Sequence, residues 1–274
     1  MKKLYDAVAA SSPLCVGIDP QWDLIPETLD GKYKLKERLS KNAAAYVYSI
    51  FCSEALNLLA PYVKVVKFQS AYFEAVGPQG LYTLQSLIRE AKKLGYYVIL
   101  DAKRSDISTT ATAYAQAAFD IYEADALTVI PFMGKESVNA FVDYARNKGN
   151  DIFLLTKPTE TSFYADPYLT LDMAFNLGKD DESGYKDIGG VVSGLFQHNN
   201  FRKHFPSIFF LVPGLGFQGG KIVDQLSLFR DGNGVILNYS RSILYYGDGI
   251  WEERIINNVK SIINEINKII LVNI

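Results

Sequence analysis

Short apolar segments alternate along this chain with longer stretches whose apolar residues recur at helical spacing. Each short segment is rich in β-branched or aromatic residues and ends at glycine, proline or a polar residue, which is typical of a buried strand. Eight strands are predicted, at 14–18, 62–68, 97–100, 126–130, 152–156, 188–192, 208–212 and 234–238. Helices are predicted near 36–59, 81–94, 136–147, 169–177 and 251–267, with another capped at 108–110.

Strands that alternate with helices from end to end form parallel βαβ units. Eight such units in 274 residues favour a closed barrel over an open doubly wound sheet, so the predicted fold is α/β, a (β/α)8 TIM barrel. We expect residues 1–274 to form one barrel domain. The spacing loosens over 157–185, which predicts a longer loop with one helix, and the charged run 179–182 is expected to be a solvated face.

The composition narrows the class of protein. Hydrophobic residues make up 49% and charged residues 21%, and the formal net charge is -2. This profile is typical of a globular enzyme and offers no basic surface for nucleic acid. No apolar run approaches the ~20 residues that a membrane-spanning helix needs, so a membrane is not an expected partner.

Two cysteines, Cys15 and Cys52, lie in apolar surroundings and lack the C-x-x-C spacing. They are predicted to be buried free thiols, which suits a reducing cytoplasm. The N-terminal segment faintly resembles a signal peptide, but Asp6 interrupts it and no apolar core of adequate length follows. A cytoplasmic location is therefore expected.

Charged residues follow directly on the third predicted strand. Asp101 and Lys103 are two residues apart, so they project from the same face of an extended strand, and Asp106 follows closely enough to reach the same place. A carboxylate and an ammonium some 4 Å apart attract by roughly 4 kcal/mol at an effective dielectric near 20, which keeps the lysine protonated. The second predicted strand also ends in a lysine, Lys67.

Two interpretations of this cluster are open. Asp101 and Lys103 could be a structural ion pair that caps a barrel strand. However, burying two lysines beside two aspartates is costly unless they form one alternating network, and such a cost usually marks function. In a barrel the active site lies where the strands end, and such ends are occupied by Asp19, Lys67, Asp101, Lys103, Thr156 and Pro213.

The loop after the seventh strand, 213–220, contains the spacing G-x-G-x-x-G. A dinucleotide fingerprint should follow the first strand and have an acidic residue about 20 positions on, whereas this loop is late in the chain and position 239 is a tyrosine. Barrel loops seven and eight commonly bind phosphate instead, through glycine N–H groups and a helix N-terminus. Gln218, Gly219 and Gly220 fit that role, while Arg241 could hold phosphate oxygens in bidentate fashion or be a surface residue.

His198 and His204, the only histidines, are predicted to be surface residues of a helix or loop. Neither suggests a Ser-His-Asp or Cys-His arrangement, and no set of histidines and carboxylates has metal-ligand spacing. No metal is therefore expected, and the chemistry falls to lysines and aspartates.

The segment 101–106 resembles the D-x-K-x-x-D signature of the orotidine 5'-phosphate decarboxylase family. Asp19, Lys67, the glycine-rich loop and 240–242 fall in the family's order, and the run 68–74 is most similar to its longer bacterial branch. The resemblance implies decarboxylation of orotidine 5'-monophosphate to uridine 5'-monophosphate in pyrimidine biosynthesis, without a cofactor.

The resemblance also implies roles for individual residues. Lys67, Asp101, Lys103 and Asp106 would form a charged tetrad in which Lys103 protonates C6 of the pyrimidine. Asp19 would bind the ribose hydroxyls. The phosphate end of the substrate would be bound by Pro213, Gln218, Gly219, Gly220 and Arg241.

Two further features of the family bear on this chain. In relatives, residues corresponding to Asp106, Ile107 and Thr110 reach into the neighbouring subunit's site, so the resemblance implies a homodimer with shared active sites. Relatives contact the pyrimidine with a serine or threonine just after the fifth strand, and here both Thr156 and Thr159 are candidates. The loop after the seventh strand is short, so either it or another segment could close over the phosphate.

Two other functions remain as alternatives. Magnesium-dependent sugar-phosphate lyases and decarboxylases of the same superfamily also use D-x-K-x-x-D, but hold their metal with an acidic residue near the second strand. There this chain has Lys67, Phe68 and Gln69, with no carboxylate until Glu74. The other alternative is a non-catalytic nucleotide-binding barrel, although a binder of an anionic ligand gains little from aspartates aimed at it.

Overall fold

Eight parallel strands form a closed barrel in which each strand pairs with the next along the chain and the last pairs with the first. The computed structural model describes residues 1–26, 29, 44–158 and 166–273. The strands are β1 (Leu14–Ile18), β2 (Val65–Gln69), β3 (Tyr97–Arg104), β4 (Ala126–Val129), β5 (Asp151–Lys157), β6 (Ile188–Val192), β7 (Phe210–Val212) and β8 (Val235–Tyr239). The predicted TIM-barrel fold is confirmed.

Helices surround the barrel and connect its strands. Those described are α1 (Lys2–Ala9), α2 (Ala44–Leu59), α3 (Ser70–Glu74), α4 (Pro78–Lys93), α5 (Ser108–Gln116), α6 (Lys135–Lys148), α7 (Pro167–Leu177), α8 (Phe201–His204), α9 (Arg241–Leu244) and α10 (Trp251–Asn273). The helix predicted at 36–59 is described only from Ala44 onward, since 30–43 lie outside the described residues. The predicted helix after β5 is confirmed as α7.

Alternate strand residues face the inside of the barrel, as the pleat of a strand requires. At the end where the strands begin, an apolar cluster that includes Tyr97, Phe153 and Phe209 fills this interior, and α1 adds Leu4 and Val8 to it. The strand residues of the other alternate set point out of the barrel and pack against the helices in the main core. The opposite end of the barrel, where the strands terminate, is left for polar side chains.

The charged run 179–182 is not wholly solvated, which corrects the expectation from sequence. Asp181 is half-buried, and its carboxylate accepts the backbone N–H of Lys2 at 2.6 Å. Lys179 and Glu182 are exposed, as expected. The contact joins segments far apart in the chain, so local charge patterning could not reveal it.

The two histidines differ in burial. His204 is exposed, as predicted. His198 is buried, so the expectation of a surface residue is wrong: its ring stacks on Phe201, and its Nε2 lies 2.9 Å from the carbonyl oxygen of Ser193. His198 is therefore part of the packing that supports the segment after β6.

Cys15 and Cys52 are buried free thiols, which confirms their prediction. Burial raises the pKa of the Cys15 thiol to about 12, so this sulfur stays protonated and unreactive. Among the described helices, none combines the length and the apolar character needed to cross a membrane.

Candidate active site

A cavity of about 380 Å³ opens at the ends of the strands. The residues singled out in the sequence that line it are Asp19, Lys67, Asp101, Lys103, Pro213, Gln218 and Arg241. Lining residues that sequence reasoning did not propose include Gln69, Tyr72, Lys157, Phe217, Asn238 and Ser240. The barrel thus gathers acidic, basic and amide side chains from several strands into one space.

The two-residue period of the strands decides which side chains reach this cavity. Along β5, both Leu155 and Lys157 line it. Thr156 lies between them and faces the other way: it is fully buried, and its Oγ1 donates to the carbonyl oxygen of Leu154 at 3.0 Å. Thr156 therefore does not fit the role of a pyrimidine contact, and Thr159 lies outside the described residues.

Asp101 is the centre of the polar network. Its Oδ1 lies 2.7 Å from Nζ of Lys103 and 2.9 Å from Oγ1 of Thr128. Its Oδ2 lies 3.0 Å from Nζ of Lys67 and 3.2 Å from Nε2 of Gln69. Because each carboxylate oxygen has two partners, the carboxylate is fixed between the two ammonium groups.

This arrangement determines the charge states. Burial alone would raise the pKa of Asp101, but the ammonium groups of Lys67 and Lys103 outweigh it and hold that pKa well below its ordinary value. Burial alone would lower the pKa of Lys67, but the carboxylates of Asp101 and Asp19 outweigh it and hold that pKa above its ordinary value. Asp101 and Lys67 are therefore both charged at neutral pH.

Lys103 lies in an irregular part of β3. Its φ is +46°, in the left-handed region that costs a non-glycine residue on the order of 1–3 kcal/mol. The register between β3 and β4 shifts between Leu100 and Arg104. Within this irregularity the backbone N–H of Lys103 donates to Oγ1 of Thr128 at 3.0 Å. Thr128 thus ties the backbone of Lys103 to the carboxylate of Asp101.

Asp19 follows β1, and its backbone is held from the opposite end of the chain. The hydroxyl of Tyr245 donates to the carbonyl oxygen of Asp19 at 3.0 Å and accepts the N–H of Gln21 at 3.0 Å. Gly17 lets this region approach the segment after β8, because a Cβ at Gly17 would lie 2.8 Å from Cβ of Ser240. The position of Asp19 at the cavity is therefore fixed by packing.

Three residues that line the cavity carry a buried oxygen without a hydrogen-bond partner in the described chain. These atoms are Oδ1 of Asp19, Oδ1 of Asn238 and Oγ of Ser240. An unsatisfied buried polar atom costs about 1–3 kcal/mol, so its presence calls for a reason such as ligand binding. These three residues lie near the ends of β1 and β8, so this side of the cavity is polar.

In the loop after β7, Gly214 lines the cavity, whereas Gly216, Gly219 and Gly220 shape the loop. Gly216 and Gly219 have φ values of +69° and +96°, and the N–H of Gly219 donates to the carbonyl oxygen of Gly216 at 2.8 Å. A Cβ at Gly220 would lie 2.6 Å from the carbonyl oxygen of Gly214. Gly219 and Gly220, predicted as phosphate contacts, are therefore not among the cavity residues, whereas Gln218 is.

Arg241 begins α9 and is half-buried, so it is not a plain surface residue. Within the described ranges, no carboxylate lies within ion-pair distance of its guanidinium, and its side chain makes no hydrogen bond. The group instead lies over the ring of Phe217, with its Cζ 4.0 Å from the ring centroid. Its N–H groups therefore remain available for a ligand.

Asp106, Ile107 and Thr110 do not line the cavity of their own chain. Ile107 is 54% exposed and Thr110 is also exposed, while Oδ1 of Asp106 accepts the N–H of Ile107 at 2.8 Å. The expectation that Asp106 reaches the same place as Asp101 and Lys103 thus fails within one chain, because the segment after β3 turns away into α5. Three members of the predicted tetrad meet, and the fourth does not join them.

Comparisons with known proteins agree with this geometry. The model of the Orotidine 5'-phosphate decarboxylase / HUMPS family matches residues 12–249. The chain is 33% identical over 258 residues to an orotidine 5'-phosphate decarboxylase of Rhodopirellula baltica, covering 85% of this chain and 84% of that protein. It is 34% identical over 257 residues to one of Clostridium botulinum, covering 88% of each. The solved structure of Leishmania donovani OMP decarboxylase superposes with a TM-score of 0.75 at 27% identity, covering 98% of both chains. This chain belongs to the orotidine 5'-phosphate decarboxylase / HUMPS family.

Proposed function

We propose that this protein removes carbon dioxide from orotidine 5'-monophosphate to give uridine 5'-monophosphate, the decarboxylation step of pyrimidine biosynthesis. The observation that carries the proposal is the row of alternating charges formed by Lys67, Asp101 and Lys103. It places an ammonium beside a carboxylate in a cavity of about 380 Å³. The names of the curated relatives support the same reaction.

The charge of the cavity suits this substrate. Its lining has the basic residues Lys67, Lys103, Lys157 and Arg241 and the acidic residues Asp19 and Asp101. A nucleotide that carries both a phosphate and a ring carboxylate has an excess of negative charge, which this excess of basic groups complements.

Each part of the nucleotide has a matching group. Arg241, at the start of α9, and Gln218, in the loop after β7, both line the cavity and would bind the phosphate, as is common in barrels. Asp19, Asn238 and Ser240, which line the cavity near the ends of β1 and β8, would bind the ribose hydroxyls and neighbouring polar groups. The pyrimidine would then lie toward Asp101 and Lys103, with C6 facing the ammonium of Lys103.

The proposed chemistry is a proton-for-carboxylate exchange at C6. The bond between C6 and the carboxylate carbon breaks, carbon dioxide leaves, and the electron pair stays on C6. The ammonium of Lys103 stabilises this developing charge and then transfers its proton to C6, after which the amine regains a proton from solvent. No electrons leave the substrate, so the step requires no redox partner.

Asp101 has two roles in this proposal. It holds the ammonium of Lys103 at 2.7 Å, and its own negative charge lies near the departing carboxylate. Repulsion between two carboxylates disfavours the bound substrate relative to the transition state, in which carbon dioxide is neutral. Binding energy from the phosphate, at the far end of the cavity, offsets that repulsion.

We propose a homodimer in which Asp106, Ile107 and Thr110 complete the neighbouring active site. The proposal is supported by the exposure of Ile107 and Thr110 and by their absence from the cavity of their own chain. Nearby exposed apolar residues, Phe132 at 88% and Met133 at 47%, offer surface for a second copy. We also propose a cytoplasmic location and one barrel domain over residues 1–274, which the two free thiols and the continuous barrel support.

The reaction is tested by measuring carbon dioxide release from orotidine 5'-monophosphate with and without a metal chelator. We expect release that the chelator does not change, abolition of it by Lys103→Ala, and no effect of Lys203→Ala, which alters an exposed lysine outside the cavity. Chelator-sensitive activity on a sugar phosphate would favour the magnesium-dependent alternative. Nucleotide binding without any release would favour a non-catalytic barrel.

A further inference from the structure

Phe217, in the loop after β7, is an aromatic residue that is exposed to solvent and also lines the cavity. It is 61% exposed, yet it lines the cavity beside Gln218 and Arg241. A large apolar side chain that stays so exposed gains little from burial. Its close neighbour is the guanidinium of Arg241, at 4.0 Å from the ring centroid.

The ring contact determines how Arg241 presents its donors. A guanidinium that pairs with a protein carboxylate donates its N–H groups to that partner, whereas one that lies over an aromatic ring keeps them free for a ligand. In the described part of the chain, Arg241 has the ring contact and no ion pair. The guanidinium of Arg241 is therefore held by the ring, while its N–H groups have no carboxylate partner among the described residues.

The loop of Phe217 is attached to the short helix that carries Arg241. The N–H of Phe217 donates to Oγ of Ser242 at 3.0 Å. Gly216 permits this approach, since a Cβ at that position would lie 2.6 Å from the same Oγ. Backbone and ring of Phe217 thus contact two successive residues of α9, which fixes the ring against the guanidinium.

We propose that Phe217 is a positioning residue that holds the guanidinium of Arg241 in the plane required for bidentate binding of the substrate's 5'-phosphate. The inference rests on the proposed assignment of Arg241 to the phosphate. Phe217 acts only through Arg241, so its contribution is confined to substrates that carry a phosphate. It contributes to binding and not to the chemical step, because the phosphate does not change during decarboxylation.

The test compares orotidine 5'-monophosphate with orotidine, the nucleoside without the phosphate. Wild type, Phe217→Ala, Phe217→Tyr, Arg241→Ala and the double variant Phe217→Ala/Arg241→Ala are assayed for decarboxylation of both substrates. Tyr82→Ala serves as the matched control, since Tyr82 is 72% exposed on α4 and lies outside the cavity.

The expected result is selective. Phe217→Ala raises KM for orotidine 5'-monophosphate by about two- to fivefold, the size of an exposed cation–π contact, and changes kcat little. It leaves kcat/KM for orotidine unchanged, and Phe217→Tyr restores the wild-type KM. In the Arg241→Ala background, removal of Phe217 has no further effect, because the group that it positions is gone.

Other outcomes overturn the proposal at identifiable points. If Arg241→Ala raises KM for the nucleotide but Phe217→Ala does not, Phe217 has no positioning role and the phosphate assignment stands. Equal losses with both substrates, or additive losses in the double variant, would show that Phe217 acts by another route. If Arg241→Ala itself leaves the KM for the nucleotide unchanged, the assignment of Arg241 fails and the inference fails with it.

Discussion

The hydroxyl of Thr128 donates to Oδ1 of Asp101 at 2.9 Å, and both side chains are buried. The same hydroxyl oxygen accepts the backbone N–H of Lys103, so one threonine on β4 connects two positions of β3 that are two residues apart. An irregular strand lacks some of its ladder hydrogen bonds, and a side chain that replaces one of them stabilises the irregular conformation. Thr128 thereby holds Lys103 and Asp101 in a fixed relation.

Replacing Thr128 by valine keeps the side-chain shape but removes both hydrogen bonds. We expect Thr128→Val to lower kcat about ten- to hundredfold with a smaller change in KM, because a displacement of Lys103 by about 1 Å weakens proton transfer more than binding. Steady-state kinetics measure the two parameters. Thr128→Ser, which keeps the hydroxyl, should retain most of the activity. A valine variant with wild-type kcat would show that Lys103 does not depend on this hydroxyl.

The pairing of Lys67 with Asp101 predicts an effect on stability. Lys67→Met leaves a buried carboxylate short of one partner, and we expect it to lower the free energy of unfolding by about 3–5 kcal/mol in urea denaturation. Lys148→Met is the control, since Lys148 pairs with Asp120 at 2.9 Å but its side chain is 47% exposed, so water screens the pair and its loss should lower the free energy of unfolding far less. Adding Asp101→Asn to Lys67→Met should recover part of the loss. Equal losses in the two lysine variants would contradict the burial argument.

Much of the site follows from strand periodicity, and the exceptions have physical causes. The sequence indicates Asp101 and Lys103 because they lie two residues apart at the end of an apolar run, and the same rule applied from Lys67 also indicates Gln69. Thr128 lies inside β4, where it looks like a β-branched strand residue, so only its partners reveal its role. The burial of His198 depends on how the segment after β6 packs against Phe201, which no local pattern encodes.

The same rule accounts for Thr156. Its position at a strand end makes it a candidate in the sequence. However, Thr156 is two residues from Leu154, so its side chain points to the same face of β5 as Leu154, which belongs to the outer core. We expect Thr156→Val to change kcat/KM by less than about twofold and to lower stability by about 1 kcal/mol, since only one buried hydrogen bond is lost. Thr159→Ala should instead raise KM if that residue contacts the pyrimidine. A larger kinetic effect at Thr156 than at Thr159 would reverse this assignment.

His198 predicts a dependence of stability on pH. The pKa of His198 lies below the ordinary value of 6.5, mainly because the side chain is buried. The nearby ammonium of Lys157 also lowers this pKa, whereas the hydrogen bond with the backbone of Ser193 raises it. The folded state thus binds this proton more weakly than the unfolded state. The stability that neutral His198 contributes is complete above about pH 6.5 and is lost as the pH falls toward the folded pKa.

His198→Phe should remove this contribution while keeping the ring stacked on Phe201. Urea denaturation at pH 7.5 and 5.5 measures the free energy of unfolding of both proteins. The free energy of unfolding should fall less from pH 7.5 to pH 5.5 in the variant than in the wild type. For one titrating group the difference is at most about 1.4 kcal/mol per pH unit. An identical decrease in both proteins would mean that His198 does not titrate over this range.

The position of Asp106 outside its own cavity predicts complementation between inactive chains. Lys103→Ala and Asp106→Asn each damage both sites of a homodimer if Asp106 completes the partner's site. A mixed dimer then has one site with both residues and one with neither, so co-refolding equal amounts should recover about one quarter of wild-type activity. Mixing Lys103→Ala with Asp101→Asn should recover none, because those two residues contact each other within one chain. If Lys103→Ala mixed with Asp106→Asn also stays inactive, Asp106 acts within its own chain or the sites are not shared.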